Sequence, residues 1–177
     1  LINENIDKSK IKITGNTVID ALKESKSKIE SLDILTKFKL KKNQYFLITL
    51  HRPELVEYNE KLQKVLKILN KIAKLKNLPI VFPIHPRTKK NIKRLQQFSA
   101  ISFIEPIGYY NFLILLKNSK LVYTDSGGIQ EEAYFFKVPC VTIRNNTERP
   151  ITIECGNNII VGNYYSCLKD LLISSTV

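Results

Sequence analysis

Short apolar runs rich in β-branched and aromatic residues alternate along this 177-residue chain with stretches of helical period. Seven of these runs are predicted as strands: KIKIT (10–14), YFLITL (45–50), PIVFPI (79–84), ISFIE (101–105), LVYTD (121–125), PCVTI (139–143) and NIIVG (158–162). Helices are predicted between them near 17–26, 59–75, 88–98, 110–118, 128–137 and 166–173. The second is the clearest, because Leu62, Val65, Leu66, Leu69, Ile72 and Ala73 recur at spacings of three and four with lysines opposite them. Strands alternating with helices imply parallel pairing through right-handed helical crossovers. The expected fold is therefore α/β, with a doubly wound, mainly parallel sheet and helices on both faces. No internal repeat, low-complexity tract or linker interrupts the pattern, so residues 1–177 are expected to form one domain.

Composition narrows the picture. With 44% hydrophobic residues the chain can bury one sizeable core. Its longest apolar runs, such as FLILL (112–116), are far too short to cross a bilayer, and no charged-then-apolar leader opens the sequence. A cytoplasmic protein without a membrane partner is expected. A formal charge of +12 raises nucleic acid as a partner. The lysines, however, are spread along helical segments opposite an apolar stripe, which reads as solvated helix face, so no nucleic-acid partner is expected. Cys140, Cys155 and Cys167 lack CxxC spacing, and His51 and His85 have no cysteine nearby, so reduced thiols and no metal site are expected. The chain starts at Leu1 and contains no methionine, and is expected to be a piece of a longer protein.

A doubly wound sheet binds ligands beyond the carboxyl ends of its strands. Four polar clusters fall there: Thr49-Leu50-His51-Arg52-Pro53-Glu54, Pro83-Ile84-His85-Pro86-Arg87, Thr124-Asp125-Ser126-Gly127-Gly128, and Arg144 with Thr147-Glu148-Arg149-Pro150. Each has an ordinary reading. The glycine pair permits a tight turn capped by Ser126, with Glu131 and Glu132 near the positive helix end. His51 suits a hydrogen-bonded core histidine, Arg52 with Glu54 a surface ion pair, and Arg149 a loop cation. Each also has a chemical reading. Ser126 and the N–H groups after it suit a phosphate, an acid one turn further on suits sugar hydroxyls, an imidazole donates to phosphate or moves a proton, and the fork of Arg149 suits a diphosphate.

Taken in order, GNTVIDAL (15–22), TLHRPE (49–54), PIHPR (83–87), TDSGGIQEEA (124–133) and NTERPITIECGNNIIVG (146–162) closely resemble the C-terminal lobe of UDP-N-acetylglucosamine 2-epimerases over nearly the whole chain. The resemblance implies one Rossmann-like, UDP-binding lobe of a two-lobed GT-B architecture. The N-terminal lobe and the final crossover helix would be absent from this chain, the full-length enzyme would be a homodimer, and no cofactor would be needed. By the same resemblance Ser126, Gly127 and Gly128 hold the diphosphate, Glu132 the ribose hydroxyls and Arg149 the phosphates. Phe112 matches the uracil-lining position, with a plain core aromatic as the equal alternative. His51 is the catalytic histidine near the phosphates, and Arg52, Glu54 and His85 match an activator site for a second UDP-N-acetylglucosamine found in some members.

The implied reaction inverts C2 of the sugar by eliminating UDP and adding it back to a 2-acetamidoglucal, giving UDP-N-acetylmannosamine. The carboxylates that move the C2 proton come from the other lobe. Two departures stand out: Leu55 replaces the asparagine of HRxEN, and Ile107 a frequent polar residue beside Pro106. The alternatives are a hydrolysing epimerase releasing N-acetylmannosamine and UDP, a GT-B glycosyltransferase lobe and, more distantly, a basic nucleic-acid-binding module.

Overall fold

A computed structural model, describing residues 2–12, 14–30, 32–92 and 95–162, turns six of the seven apolar runs into strands. In chain order the elements are α1 (Thr17–Glu24), α2 (Lys26–Glu30), α3 (Ile34–Lys37), β1 (Phe46–Thr49), α4 (Pro53–Val56), α5 (Asn59–Lys76), β2 (Ile80–Pro83), α6 (Pro86–Lys90), β3 (Ile101–Ile104), α7 (Tyr109–Asn118), β4 (Leu121–Thr124), α8 (Gly127–Phe136), β5 (Cys140–Thr142), α9 (Pro150–Glu154) and β6 (Asn158–Ile160). The predicted helix at 166–173 and Cys167 lie outside the described residues.

All six strands are parallel, in the order β3-β2-β1-β4-β5-β6. The chain winds outward one way from β1 and then returns to wind the other way from β4. Between these two strands lies the switch point, where a crevice opens beyond the carboxyl ends. Thr49 pairs with Thr124 across it in register, and their hydroxyls are 2.8 Å apart.

Continuous apolar runs become central strands because both faces are covered by helices. Phe46 and Ile48 point into one core, with Leu62, Leu66, Leu69 and Ile72 of α5. Tyr45 and Leu47 point into the other, with Leu113 to Leu116 of α7 and Ala133 of α8. Six apolar side chains of α5 are buried, which on their own contribute on the order of 10 kcal/mol of gross burial energy. That helix ends at Asn77, which adopts φ 51° and donates its N–H back to Ala73 O and Lys74 O.

Two expectations need correction. Residues 10–14 are not a strand in their described part: Lys8–Lys10 closes into a 3-10 turn, with Asp7 accepting from Ser9 N and Oγ at 2.9 and 2.8 Å. Lys12 and Thr14 are exposed, and alternation alone does not hold a strand that has no neighbour to pair with. The helix expected over 88–98 is shorter and earlier. Pro86, pre-set for a first helical position, starts α6, and Leu95–Gln97 is a separate 3-10 turn.

Candidate functional site

At the end of β1 the chain runs Leu50-His51-Arg52, and at the end of β4 it runs Asp125-Ser126-Gly127. The parallel register lays these two ends side by side and buries Asp125 completely. Its carboxylate accepts the backbone N–H of His51 at 2.9 Å and of Arg52 at 2.8 Å. His51 Nδ1 lies 3.1 Å from Asp125 Oδ1. The imidazole is thereby fixed with its proton on Nδ1, and Nε2 takes no part in that contact. The hydrogen bond to Asp125 raises the His51 pKa above the ordinary 6.5, an effect that partial burial opposes. Sequence reasoning placed Asp125 in a cluster without a role. The available signal was an acid following directly on an apolar strand.

Ser126 is the N-cap of α8 by position, in extended conformation, but its hydroxyl makes no capping bond. No side chain closes the amino end of a ten-residue helix, and that end carries the partial positive charge of the helix. A Cβ on Gly128 would meet nothing nearer than Ser126 Oγ at 3.9 Å, whereas one on Gly127 would come within 3.1 Å of Glu148 Oε2 and 4.0 Å of Arg149 Cγ. The glycine pair therefore leaves room for a ligand to approach the backbone closely.

The two acids that follow take different partners. Glu131, buried, places Oε1 2.7 Å from Arg149 Nε and accepts Asn16 Nδ2 from the head of α1 at 2.7 Å. The Arg149 Nε contact is an ion pair at close range without hydrogen-bond alignment, since that N–H finds no acceptor along its axis. Glu132, only 6% exposed, accepts the Tyr109 hydroxyl on Oε1 at 2.9 Å, while its Oε2 is buried with no partner. Burial pushes the Glu132 carboxyl up to about 7, against the lowering effect of the Tyr109 bond. A buried acceptor with nothing to accept is costly, and it marks a place where a ligand donor fits.

Arg149 stands at the N-cap position of α9 without a side-chain capping bond, and is held from below. Its N–H donates to Thr147 Oγ1 at 2.9 Å, and Thr147 donates to Gln130 Oε1 at 2.5 Å. Asn158 donates to both Gln130 Oε1 and Thr152 Oγ1, at 3.1 and 3.0 Å. Sequence reasoning missed this buried scaffold, whose members come from α8, α9, β6 and the loop between β5 and α9.

Of the ten residues singled out from sequence, seven gather on this rim: His51, Arg52, Ser126, Gly127, Gly128, Glu132 and Arg149. Arg52 Nη2 comes within 4.0 Å of Glu148 Oε2, its Nε is buried without a partner, and with Glu54 it borders a hollow of about 250 Å³ shared with Asp125 and Arg144. His85 sits exposed at the carboxyl end of the neighbouring strand β2, outside that hollow. Phe112 is half-buried against the core under α7. A larger hollow of about 680 Å³ opens at the opposite, amino end of the strands and is lined by Lys42, Lys117, Lys120 and Lys137. It contains none of the converging groups described here, so size alone does not make it the functional site.

Fold and site together define a class: a Rossmann-like α/β lobe whose switch-point crevice is bordered by a helix amino end without a side-chain cap and by a buried carboxylate with one unpartnered oxygen. The chain belongs to the UDP-N-acetylglucosamine 2-epimerase family, whose model matches residues 1–171. It is 43% identical to the UDP-N-acetylglucosamine 2-epimerase of Methanocaldococcus jannaschii, the match covering 92% of this chain and 47% of the relative. It is also 43% identical to that of Methanococcus maripaludis, covering 99% of this chain and 51% of the relative. The crystal structure of the M. jannaschii enzyme in complex with UDP-GlcNAc and UDP superposes with a TM-score of 0.82 at 39% identity, over 98% of this chain and 51% of that one. The chain thus spans about half the length of the curated relatives it matches. No helix among the described residues is long and apolar enough to cross a membrane.

Proposed function

We propose that this chain is the nucleotide-binding lobe of an enzyme that interconverts UDP-N-acetylglucosamine and UDP-N-acetylmannosamine by eliminating UDP and adding it back. One observation carries the reading. A single helix, α8, presents uncapped backbone at Ser126-Gly127-Gly128 and, five residues on, a buried carboxylate with one empty oxygen. At 1.5 Å per residue, Gly127 and Glu132 are about 7.5 Å apart along the axis. That step is comparable to the one from a diphosphate to the ribose diol of the same nucleotide.

In this reading Ser126 Oγ and the first N–H groups of α8 bind the diphosphate, and Glu132 Oε2 accepts from the ribose hydroxyls. Arg149 adds its guanidinium from the other side. The C2 proton of the sugar is weakly acidic, so expulsion of UDP depends on stabilising the charge that collects on the leaving diphosphate. His51, whose protonated form the Asp125 bond favours, offers an Nε2–H donor there when charged, next to the positive end of α8. When UDP returns to C1 the same groups hold it in place. The carboxylates that take and return the C2 proton come from outside this chain. In this reading the enzyme works in the cytoplasm.

The test is calorimetric titration of the chain with UDP and with UMP, on the parent and on Glu132→Ala. UDP should bind more tightly than UMP, and Glu132→Ala should weaken both. Equal, weak binding of the two nucleotides by both proteins would remove the assignment.

A further inference from the structure

Tyr109 opens α7 directly after Gly108; the residue is 47% exposed, and its ring packs at a tilt of 55° against Tyr110. An exposed tyrosine on a helix has little reason to reach inward. This one donates its hydroxyl at 2.9 Å to Glu132 Oε1 on the neighbouring helix α8. The other oxygen of that carboxylate, Oε2, is buried and receives nothing. The two oxygens of one side chain are therefore unequal: one is filled from the protein and the other is reserved.

A carboxylate on a flexible side chain rotates about its last bond, a broad and roughly two-fold torsion. A fixed donor on Oε1 removes that freedom and sets the direction in which Oε2 points. From this geometry we infer that Tyr109 is a positioning residue, which pins Glu132 so that Oε2 is presented to the ribose diol and makes the site favour ribonucleotides over deoxyribonucleotides. The inference rests on the nucleotide reading above and names the residue that sets its sugar selectivity.

Charge supports the same conclusion. Burial, and then the nearby Glu132, raise the Tyr109 pKa far above the ordinary 10, so the phenol remains a donor across the physiological range. The groups bearing on Glu132 are Tyr109 from α7 and Glu131 beside it on α8, the latter tied to Arg149 and to Asn16 from α1. Burial and Glu131 favour the protonated form of Glu132, and the Tyr109 bond favours the ionised form. Loss of the phenol hydroxyl should therefore leave Glu132 both misdirected and less ionised at pH 7.

The experiment compares the parent chain with Tyr109→Phe and Glu132→Gln, titrated with UDP and with 2′-deoxy-UDP from pH 6 to pH 9. The parent should prefer UDP about tenfold, equivalent to about 1.4 kcal/mol. Tyr109→Phe should reduce that preference to about threefold or less, move the rise in UDP affinity to higher pH, and leave 2′-deoxy-UDP binding nearly unchanged. A merely structural tyrosine would lower thermal stability and leave both the preference and the pH profile where they were, and that result overturns the inference. A second measurement needs no nucleotide: carbon-detected NMR titration should show the Glu132 pKa rising in Tyr109→Phe, and an unmoved pKa overturns the positioning role whatever UDP does. Failure of the parent to bind UDP at all sinks the nucleotide reading instead, and the ribose assignment with it, even if the Glu132 pKa moves.

Discussion

Replacing Asp125 with asparagine is the sharpest test of how the crevice is built. The wild-type carboxylate is fully buried and takes three donors: the backbone N–H groups of His51 and Arg52 and the Nδ1–H of the His51 ring. Asparagine has the same shape but only one acceptor oxygen, and its NH₂ must then face a donor or the ring nitrogen. Both backbone N–H groups point at Oδ2, so the asparagine oxygen keeps two bonds there, but two charge-assisted bonds worth roughly 1.5–3 kcal/mol each become neutral ones worth roughly 0.5–1.5 kcal/mol each, and the NH₂ replaces the acceptor of His51 Nδ1–H. The expected loss is about 2–4 kcal/mol, read as a lower urea midpoint at pH 7 with unchanged slope.

The same substitution has a second readout. His51 is raised above 6.5 by the Asp125 hydrogen bond, so the stabilising contact is fully present below pH 6.5 and is lost as pH climbs through the folded-state value. The imidazole is more than half exposed, so solvent screening keeps this contribution within the ~0–1 kcal/mol of surface pairs. Proton NMR of the ring resolves it directly, since the chain has only two histidines. Asp125→Asn should lower the His51 pKa and leave the His85 resonances unshifted. An Asp125→Asn protein that keeps the parent urea midpoint within about 0.5 kcal/mol, or a His51 titration the same in both proteins, would refute the dyad.

Ser126→Ala should leave thermal stability within about 0.5 kcal/mol, below the usual cost of losing a cap, because this hydroxyl caps nothing; UDP affinity should nevertheless fall about tenfold. Loss of stability with unchanged UDP binding would reverse the assignment. Gly127→Ala should fold normally, because the one close neighbour, Glu148 Oε2 at 3.1 Å, ends a half-exposed side chain that can swing aside; its methyl group should instead block the diphosphate, abolishing UDP binding in the same titration. Glu132 is raised from 4.5 to about 7, so its ionisation opposes folding and stability declines as pH climbs from about 4.5 past 7. Glu132→Gln should match the parent in stability near pH 4 and exceed it at pH 8, by up to about 3 kcal/mol at ~1.4 kcal/mol per pH unit; an equal difference at both pH values would argue against a buried acid.

The parallel sheet was legible in the sequence because its strands are covered on both faces, so Phe46 to Ile48 and Leu121 to Thr124 read as unbroken apolar runs. Long helices were legible for a related reason: α5 has five turns over which its period can repeat. The four- and five-residue helices α3, α4, α6 and α9 carry about one turn each, too little for any period to show. Site residues were visible when they sat at strand ends. What stayed hidden was every pairing across long sequence separation. Asp125 and His51 are 74 residues apart, Tyr109 and Glu132 are 23 apart, and Asn16 and Glu131 are 115 apart. Only the strand order that sets β4 beside β1, and the packing of α7 and α1 against α8, brings them together.

Two consecutive glutamates in the helix that offers its positive end to an anion look self-defeating, and the helix geometry explains why they are not. Successive positions diverge by about 100° around the axis, so neighbours in sequence face different surroundings. Glu131 lies one turn below Gly127 and faces Arg149, whose Cγ sits beside the same glycine. Its charge is spent on holding a cation at the mouth of the crevice. Glu132 lies one turn below Gly128 and faces Tyr109, and burial favours its protonated form. Neither acid presents an uncompensated negative charge to the amino end of α8. One of them tethers the Arg149 guanidinium, and the other keeps an oxygen open for a donor about a turn and a half from the amino end of the helix. In the proposed reading, glycine, glycine and two acids at this spacing form a single ruler, with the anion measured at one end and the diol at the other.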